Sequence, residues 1–364
     1  MAQEMQTDPE LVFPEGWDES ERLLINNFFE LRVPKVAKTT CSASECREFA
    51  QTLMQGKKIV LVNNQGFHSY TLACPESNHI IQFRLKELCT KFIDEAKEIY
   101  GHLVSRVVHH SGFTLPVYTI DIVPGVAHYW QEPSRDHFPL ERELNTIIDL
   151  AQFIARSSHF PHPPIECKDS SRTKRARATF ERLEQNSSLK EIAPDIYAEV
   201  TSVTPKLHLL QDLPLVLTHT DLVGLNIFVD RITGGITGVI DFDDAQIEAL
   251  GMNIVTLYEW FVGNMEDGHW SPYDMPAGNK YGGKNVGQVL EAAFWDAFWD
   301  NTSPDLKKED TKEALSVALR VGVVNRYIVD VGMLDEVDLE NGRGDDRSLD
   351  YAKGILFHLR DSGL

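Results

Sequence analysis

Apolar positions along the chain change period several times, and each change predicts an element. Ser42 with Glu45 three places on forms a capping box, which opens a predicted helix through about residue 54. Short apolar, β-branched runs at residues 58–62, 69–74 and 79–85 read as strands. Residues 88–103 return to helical period, with Leu88, Phe92, Ala96, Ile99 and Leu103 on one stripe. A further strand is expected at residues 117–123, ending on Pro124-Gly125. Helices are expected at residues 140–157, 173–185 and 194–203. Two apolar runs, 227–229 and 236–240, then flank Thr233-Gly234-Gly235 and read as an antiparallel hairpin. Helical pattern resumes at residues 254–262, 286–299 and 308–329, and again from Leu349. The stretch 263–285, rich in Gly, Pro and Asn, is expected to be a long loop.

The hairpin carries the chemistry. Asn226 stands just before its first strand and Asp241 just after its second, so both sit at the same open end. Asp221 lies one short loop upstream, after His219. Converging carboxylate and amide oxygens suit Mg²⁺, which usually takes one or two protein oxygens and fills its octahedron with phosphate and water. A second carboxylate beside them is placed to orient a hydroxyl and take its proton as a phosphoryl group arrives.

His219-Thr220-Asp221, Asn226 and Ile240-Asp241-Phe242-Asp243-Asp244 together follow the order H-x-D-x-x-x-x-N, strand pair, Asp-Phe-Asp. In this the chain resembles the protein-kinase-like fold, and within it the aminoglycoside phosphotransferase and choline kinase family. It looks most like the small-molecule kinase-like proteins found in fungi. The recognisable motifs cover about residues 57–262. The resemblance implies an α+β, bilobal protein, with a small antiparallel-sheet N-lobe over residues 1–124 and a larger helical C-lobe over residues 125–364. It implies ATP and Mg²⁺ as cofactors, Asn226 and Asp241 as metal ligands, Asp221 as catalytic base, and His219 as a buttress of the catalytic loop. Thr220 replaces an arginine that reads activation-loop phosphate in many protein kinases, which argues against that form of regulation. Asp244 is expected in a supporting role or in an exposed turn.

The same resemblance places the nucleotide. Residues 63–70 would cover the phosphates with a single glycine, Gly66, and Ser69 as the contact. Arg84, or Lys86 if the register shifts, would supply the cation for the phosphates. A glutamate of the next helix would pair with it. Glu95 falls within the Phe92, Ala96, Ile99 stripe at 100° per residue and is preferred to Glu98. Adenine would rest on main-chain groups near Asp121 and Val123.

Composition narrows the partners. A formal net charge of -20 argues against nucleic acid and anionic membrane. The N-terminus lacks a secretory pattern, and no run reaches the roughly 20 apolar residues that span a bilayer. Five scattered cysteines suit a reduced, cytoplasmic setting. His109, His110, His159 and His162 read as solvated loop residues rather than metal ligands, and the basic run 173–177 as a solvated helix start. For the acceptor, Glu248, Glu259 and Trp260, with Glu266, Asp267 and Trp270, offer an acidic, aromatic pocket for an ammonium group. The expected activity is ATP-dependent phosphoryl transfer to a hydroxyl of a small molecule, a metabolite alcohol or amino alcohol. Two rivals stand beside it. One is a nucleotide-binding pseudokinase, favoured by the absence of a third-strand lysine. The other is an enzyme of another class that uses the kinase-like cleft without ATP.

Overall fold

The computed structural model describes residues 19–62, 65–131, 137–164, 171–266, 268–329 and 346–362. Asn63, Asn64, Asp267 and Cys167, which figure in the expectations above, lie outside the described residues. The chain divides into two units, one running to Ile93 and again from Val104 to Val123, the other taking Asp94–Leu103 and Pro124 onward.

The first unit has α1 (Glu19–Asn27), a wide helical segment Phe28–Ala37, and α2 (Ala43–Leu53). Its sheet contains β1 (Val60–Leu61), β2 (Ser69–Cys74), β3 (His79–Arg84), β4 (Val107–His110) and β5 (Val117–Asp121), antiparallel in the order β1-β2-β3-β5-β4. Ser42 caps α2 as expected: its Oγ accepts from Glu45 N at 3.2 Å, and Glu45 Oε2 accepts from Ser42 N at 2.7 Å. Strand alternation then sorts the sheet into two faces. Tyr70, Leu72, Cys74, Ile81 and Phe83 join Cys46 and Ala50 of α2 in a buried core. Ser69, Thr71, Gln82 and Arg84 alternate to the other face, where the register pairs Ser69 with Arg84 and Thr71 with Gln82.

The strand β4 was not anticipated. Among the described residues it pairs only with β5 and is half-exposed, so as an edge strand it has no need of the apolar pattern that marks a buried one.

α3 (Thr90–Tyr100) belongs to the second unit from Asp94 onward. That unit continues with β6 (Val126–Ala127), α4 (Leu140–Arg156), α5 (Arg172–Glu184), α6 (Ser187–Ile192) and α7 (Pro194–Val203). Next come β7 (Leu215–Thr218), β8 (Ile227–Val229), β9 (Ile236–Val239), β10 (Gln246–Ala249) and α8 (Val255–Trp260). The chain then forms β11 (Gly263–Glu266), β12 (His269–Pro272), α9 (Val286–Asn301), α10 (Lys308–Val324) and α11 (Asp346–Asp361). Its sheets are short: β6-β8-β9, β7 with β10, and β11 with β12.

Two expectations change here. The expected loop 263–285 begins with a hairpin, β11–β12. Gly263 signals close approach rather than looseness, because a Cβ there would meet Ser271 O at 2.5 Å. Trp270 is core, with its indole N–H donating to Tyr258 O at 2.9 Å. The helix expected over 308–329 keeps α geometry only to Val324, and Asn325–Val329 widens into a π turn. Among the described residues, no helix is long and apolar enough to cross a membrane.

Candidate active site

The β8–β9 hairpin pairs Ile227 with Val239, and Ile240 N donates to Asn226 O at 3.0 Å. Asn226 and Asp241 are therefore brought to one end of the ladder, as alternation and turn length require. The turn is closed by Asp230, whose Oδ1 accepts from Ile232 N, Thr233 N and Thr233 Oγ1. Strand β7 ends at Thr218 and delivers His219 to Asp221, while β10 opens at Gln246 after the loop carrying Asp241.

His219 ties these two loops together. Its Nε2–H donates to Ile240 O at 2.8 Å, and its Nδ1 accepts from Asp221 N at 3.2 Å. Both bonds require the neutral ring, and burial holds the imidazole below its ordinary pKa, against the pull of Ile240 O and the nearby carboxylates. Phe242 meets the His219 ring edge-on at 4.7 Å, and Thr220 Oγ1 donates to Asp244 O at 2.9 Å. Thr256 of α8 donates its hydroxyl to Leu222 O, fixing the loop from behind.

Asn226 turns its amide nitrogen inward, where Nδ2 donates to Asp221 O at 2.9 Å and lies 3.5 Å from Asp221 Oδ2. That leaves Oδ1 as the amide's acceptor atom. Asp241 is exposed and adopts φ 69°, a left-handed conformation that costs a non-glycine residue about 1–2 kcal/mol. Strain of this kind gathers at functional positions. One amide oxygen and one exposed carboxylate are the donors that a hard cation such as Mg²⁺ takes from protein, so this pair fits it. Among the described residues, no cluster of three or more His, Cys, Asp or Glu is placed to hold a metal ion. His110 instead bonds Thr119 Oγ1, His159 bonds Asn301 O, and His162 pairs with Glu95.

The remaining expected residues are placed as follows. In the first unit, Ser69 is buried, with its hydroxyl 3.3 Å from that of Thr71. Arg84 donates from Nη1 to Gln82 Oε1 at 3.1 Å. The loop before Ser69 is anchored at Gln65, whose side chain bonds Val62 O and both main-chain groups of Thr71. Arg32 lies 3.2 Å above the Phe67 ring and donates to its carbonyl. Asp121 has its own main-chain groups occupied, by Arg106 O and the Ser105 hydroxyl. Glu95, in the second unit, holds His162, a histidine expected to be solvated.

The acceptor residues fare differently. Glu248 is fully buried and caps α5: its oxygens accept from Ser171 Oγ, Arg172 N, Thr173 N and Thr173 Oγ1. Four donors at a helix N-terminus make it a structural anion, not an ammonium receptor. Glu259 is claimed by Arg326, whose Nε and Nη2 donate to its Oε2 and Oε1, each at 3.2 Å. Trp260 packs over Gly224, where a Cβ would lie 3.3 Å from its ring, and edge-on to Tyr129 at 5.9 Å. Glu248 and Glu259 do line one small cavity, but each carboxylate is already taken by other partners.

Arg326 was missed. Its Nη1 donates to Asp221 Oδ1 at 2.7 Å. The available signal was the Asn325-Arg326 pair set in the apolar run Val321–Val329, since a cation in a buried helix needs a partner. A cavity of ≈ 20 Å³, room for about one water, is lined by His219, Glu248, Thr256, Glu259 and Arg326 among others.

A family model described as "APH: Phosphotransferase enzyme family" matches residues 79–273, just over half of the chain. No curated protein matches the sequence. Among solved structures, an ethanolamine kinase of Plasmodium vivax is 14% identical with TM-score 0.51, covering 96% of this chain and 99% of that one. A choline/ethanolamine kinase family protein of Mesorhizobium loti is 11% identical with TM-score 0.49, covering 87% and 93%. An aminoglycoside phosphotransferase of Streptomyces rimosus is 14% identical with TM-score 0.42, covering 78% and 99%.

Proposed function

The chain belongs to the phosphotransferase enzyme family, and from that premise we propose that it transfers the γ-phosphoryl group of ATP to a hydroxyl of a small molecule. The observation that carries this reading is the open end of the β8–β9 hairpin. There Asn226 is turned by its amide nitrogen onto Asp221, and the exposed Asp241 stands at the same end of the ladder. In this reading Asn226 and Asp241 would hold Mg²⁺, which when bound would neutralise phosphate charge. Ser69 and Arg84, paired across β2 and β3, bind nucleotide phosphates, and main chain near Val123 meets the adenine. Asp221 accepts the acceptor's hydroxyl proton. The new bond joins the acceptor oxygen to phosphorus, the bond from the γ-phosphorus to its bridging oxygen breaks, and ADP leaves.

Glu248 is spent on a helix cap and Glu259 on Arg326, and the acceptor class proposed is a metabolite alcohol or amino alcohol. A cytoplasmic setting agrees with free thiols at Cys41, Cys46, Cys74 and Cys89. The test is transfer of label from γ-labelled ATP to a panel of sugars, polyols, amino alcohols and aromatic alcohols. Labelled product should appear with the native chain and fall by about 10²–10⁴ in Asp221→Asn. ATP binding with no product across the panel, and no ATP hydrolysis, would instead mark a pseudokinase.

A further inference from the structure

Among the described residues, only one oxygen of the Asp221 carboxylate is held by a cation. Arg326 Nη1 donates to Oδ1 at 2.7 Å, whereas Oδ2 has only the long 3.5 Å approach of Asn226 Nδ2. The rest of the guanidinium edge is occupied by Glu259, through two bonds of 3.2 Å. The Glu259 side chain is only 11% exposed, and burial pushes its carboxyl up against the opposing pull of Arg326. A two-pronged bond to a buried carboxylate fixes the plane of a guanidinium, so its third bond points in one direction.

The backbone supports the same geometry. Gly322 of α10 lies so close to the turn before α8 that a Cβ would meet Met252 O at 2.1 Å. The close crossing brings the end of α10 beside α8. The π turn at Asn325–Val329 then aims Arg326 between Glu259 and Asp221.

We infer that Arg326 is a positioning residue, anchored by Glu259, that holds Asp221 through Oδ1 and so presents Oδ2 to the acceptor hydroxyl. The inference rests on Asp221 acting as the base, as proposed above. A carboxylate free to rotate would spend part of its time with neither oxygen aligned on the hydroxyl. Misplacement of about 1 Å can cost on the order of 10² in rate. Arg326 therefore acts on turnover and not on nucleotide affinity.

The experiment is steady-state ATP hydrolysis, with water as acceptor, by the full chain and by Arg326→Met, Arg326→Lys, Glu259→Gln and the Arg326→Met/Glu259→Gln double variant. Arg326→Met alone strands a buried charge and threatens the fold, while the double variant removes both charges and avoids that penalty. Melting curves establish that each variant is folded. The expected result is a kcat lowered about 10- to 100-fold in Arg326→Met and equally in the double variant, with KM for ATP within about twofold. Arg326→Lys should recover part of the loss, because an ammonium can reach one carboxylate but cannot fork the other.

Turnover unchanged or raised in the double variant, or a loss that falls on KM for ATP, would overturn the inference and leave the phosphotransferase reading standing. A native chain that neither binds nor hydrolyses ATP would overturn both.

Discussion

His219 donates its Nε2–H to the carbonyl of Ile240 at 2.8 Å, so the residue before Asp241 is held by the loop that carries Asp221. The ring's other nitrogen accepts from Asp221 N. His219→Ala leaves a part-buried carbonyl and amide without these partners, worth at most roughly 1–3 kcal/mol each. Denaturant unfolding should show a loss of that order. Retention of native stability would mean that the histidine is not the brace between the loops.

Stability should fall on acidification in two stages. Burial lowers the His219 pKa below its ordinary 6.5. Burial alone would raise Glu143, but His128 and Arg142 overcome it and hold that carboxyl below its ordinary 4.5. Both groups thus fold with depressed pKa values. Their contributions are complete above the unfolded values and are lost as pH falls through the folded ones. The denaturant midpoint should begin to drop below 6.5 and drop further below 4.5. His219→Gln should flatten the upper stage, and an unchanged upper stage in that variant would refute the assignment.

Glu248→Gln separates a cap from an acceptor contact. Glutamine has one acceptor oxygen for four donors, so the variant should lose roughly 1–3 kcal/mol of stability. KM for ATP and for any identified acceptor should hold. A raised acceptor KM at native stability would restore Glu248 to the binding site.

Gly322→Ala tests the crossing of α10 over the turn at Met252. The added Cβ would lie 2.1 Å from Met252 O, a backbone atom that cannot swing aside. Overpacking of this kind costs about 1–3 kcal/mol, measurable in a thermal melt. A neutral effect would show that the two segments separate freely.

Local signals carried the β8–β9 hairpin and the capped helix α2. Short strands around a Gly-Gly turn, and Ser42 with Glu45, depend on residues a few places apart. The pattern gave out where partners are remote in sequence. Glu248 read as an acceptor contact because its four donors come from residues 171–173, and Glu259 because its counter-ion is Arg326. The half-exposed edge strand β4 lacks an apolar run, and the glycines of 263–285 suggested a loop where Gly263 serves a hairpin. Charges are legible as charges, but what neutralises them is a property of the fold.

The most direct measurement is calorimetric titration of ATP into the native chain and into Asp241→Ala, with and without Mg²⁺. The account predicts binding that requires Mg²⁺ in the native chain and collapses in Asp241→Ala, with melting temperature retained. Retention is expected because the exposed Asp241 side chain packs into no core. ATP binding of equal strength in both proteins, or none in the native chain, would contradict it.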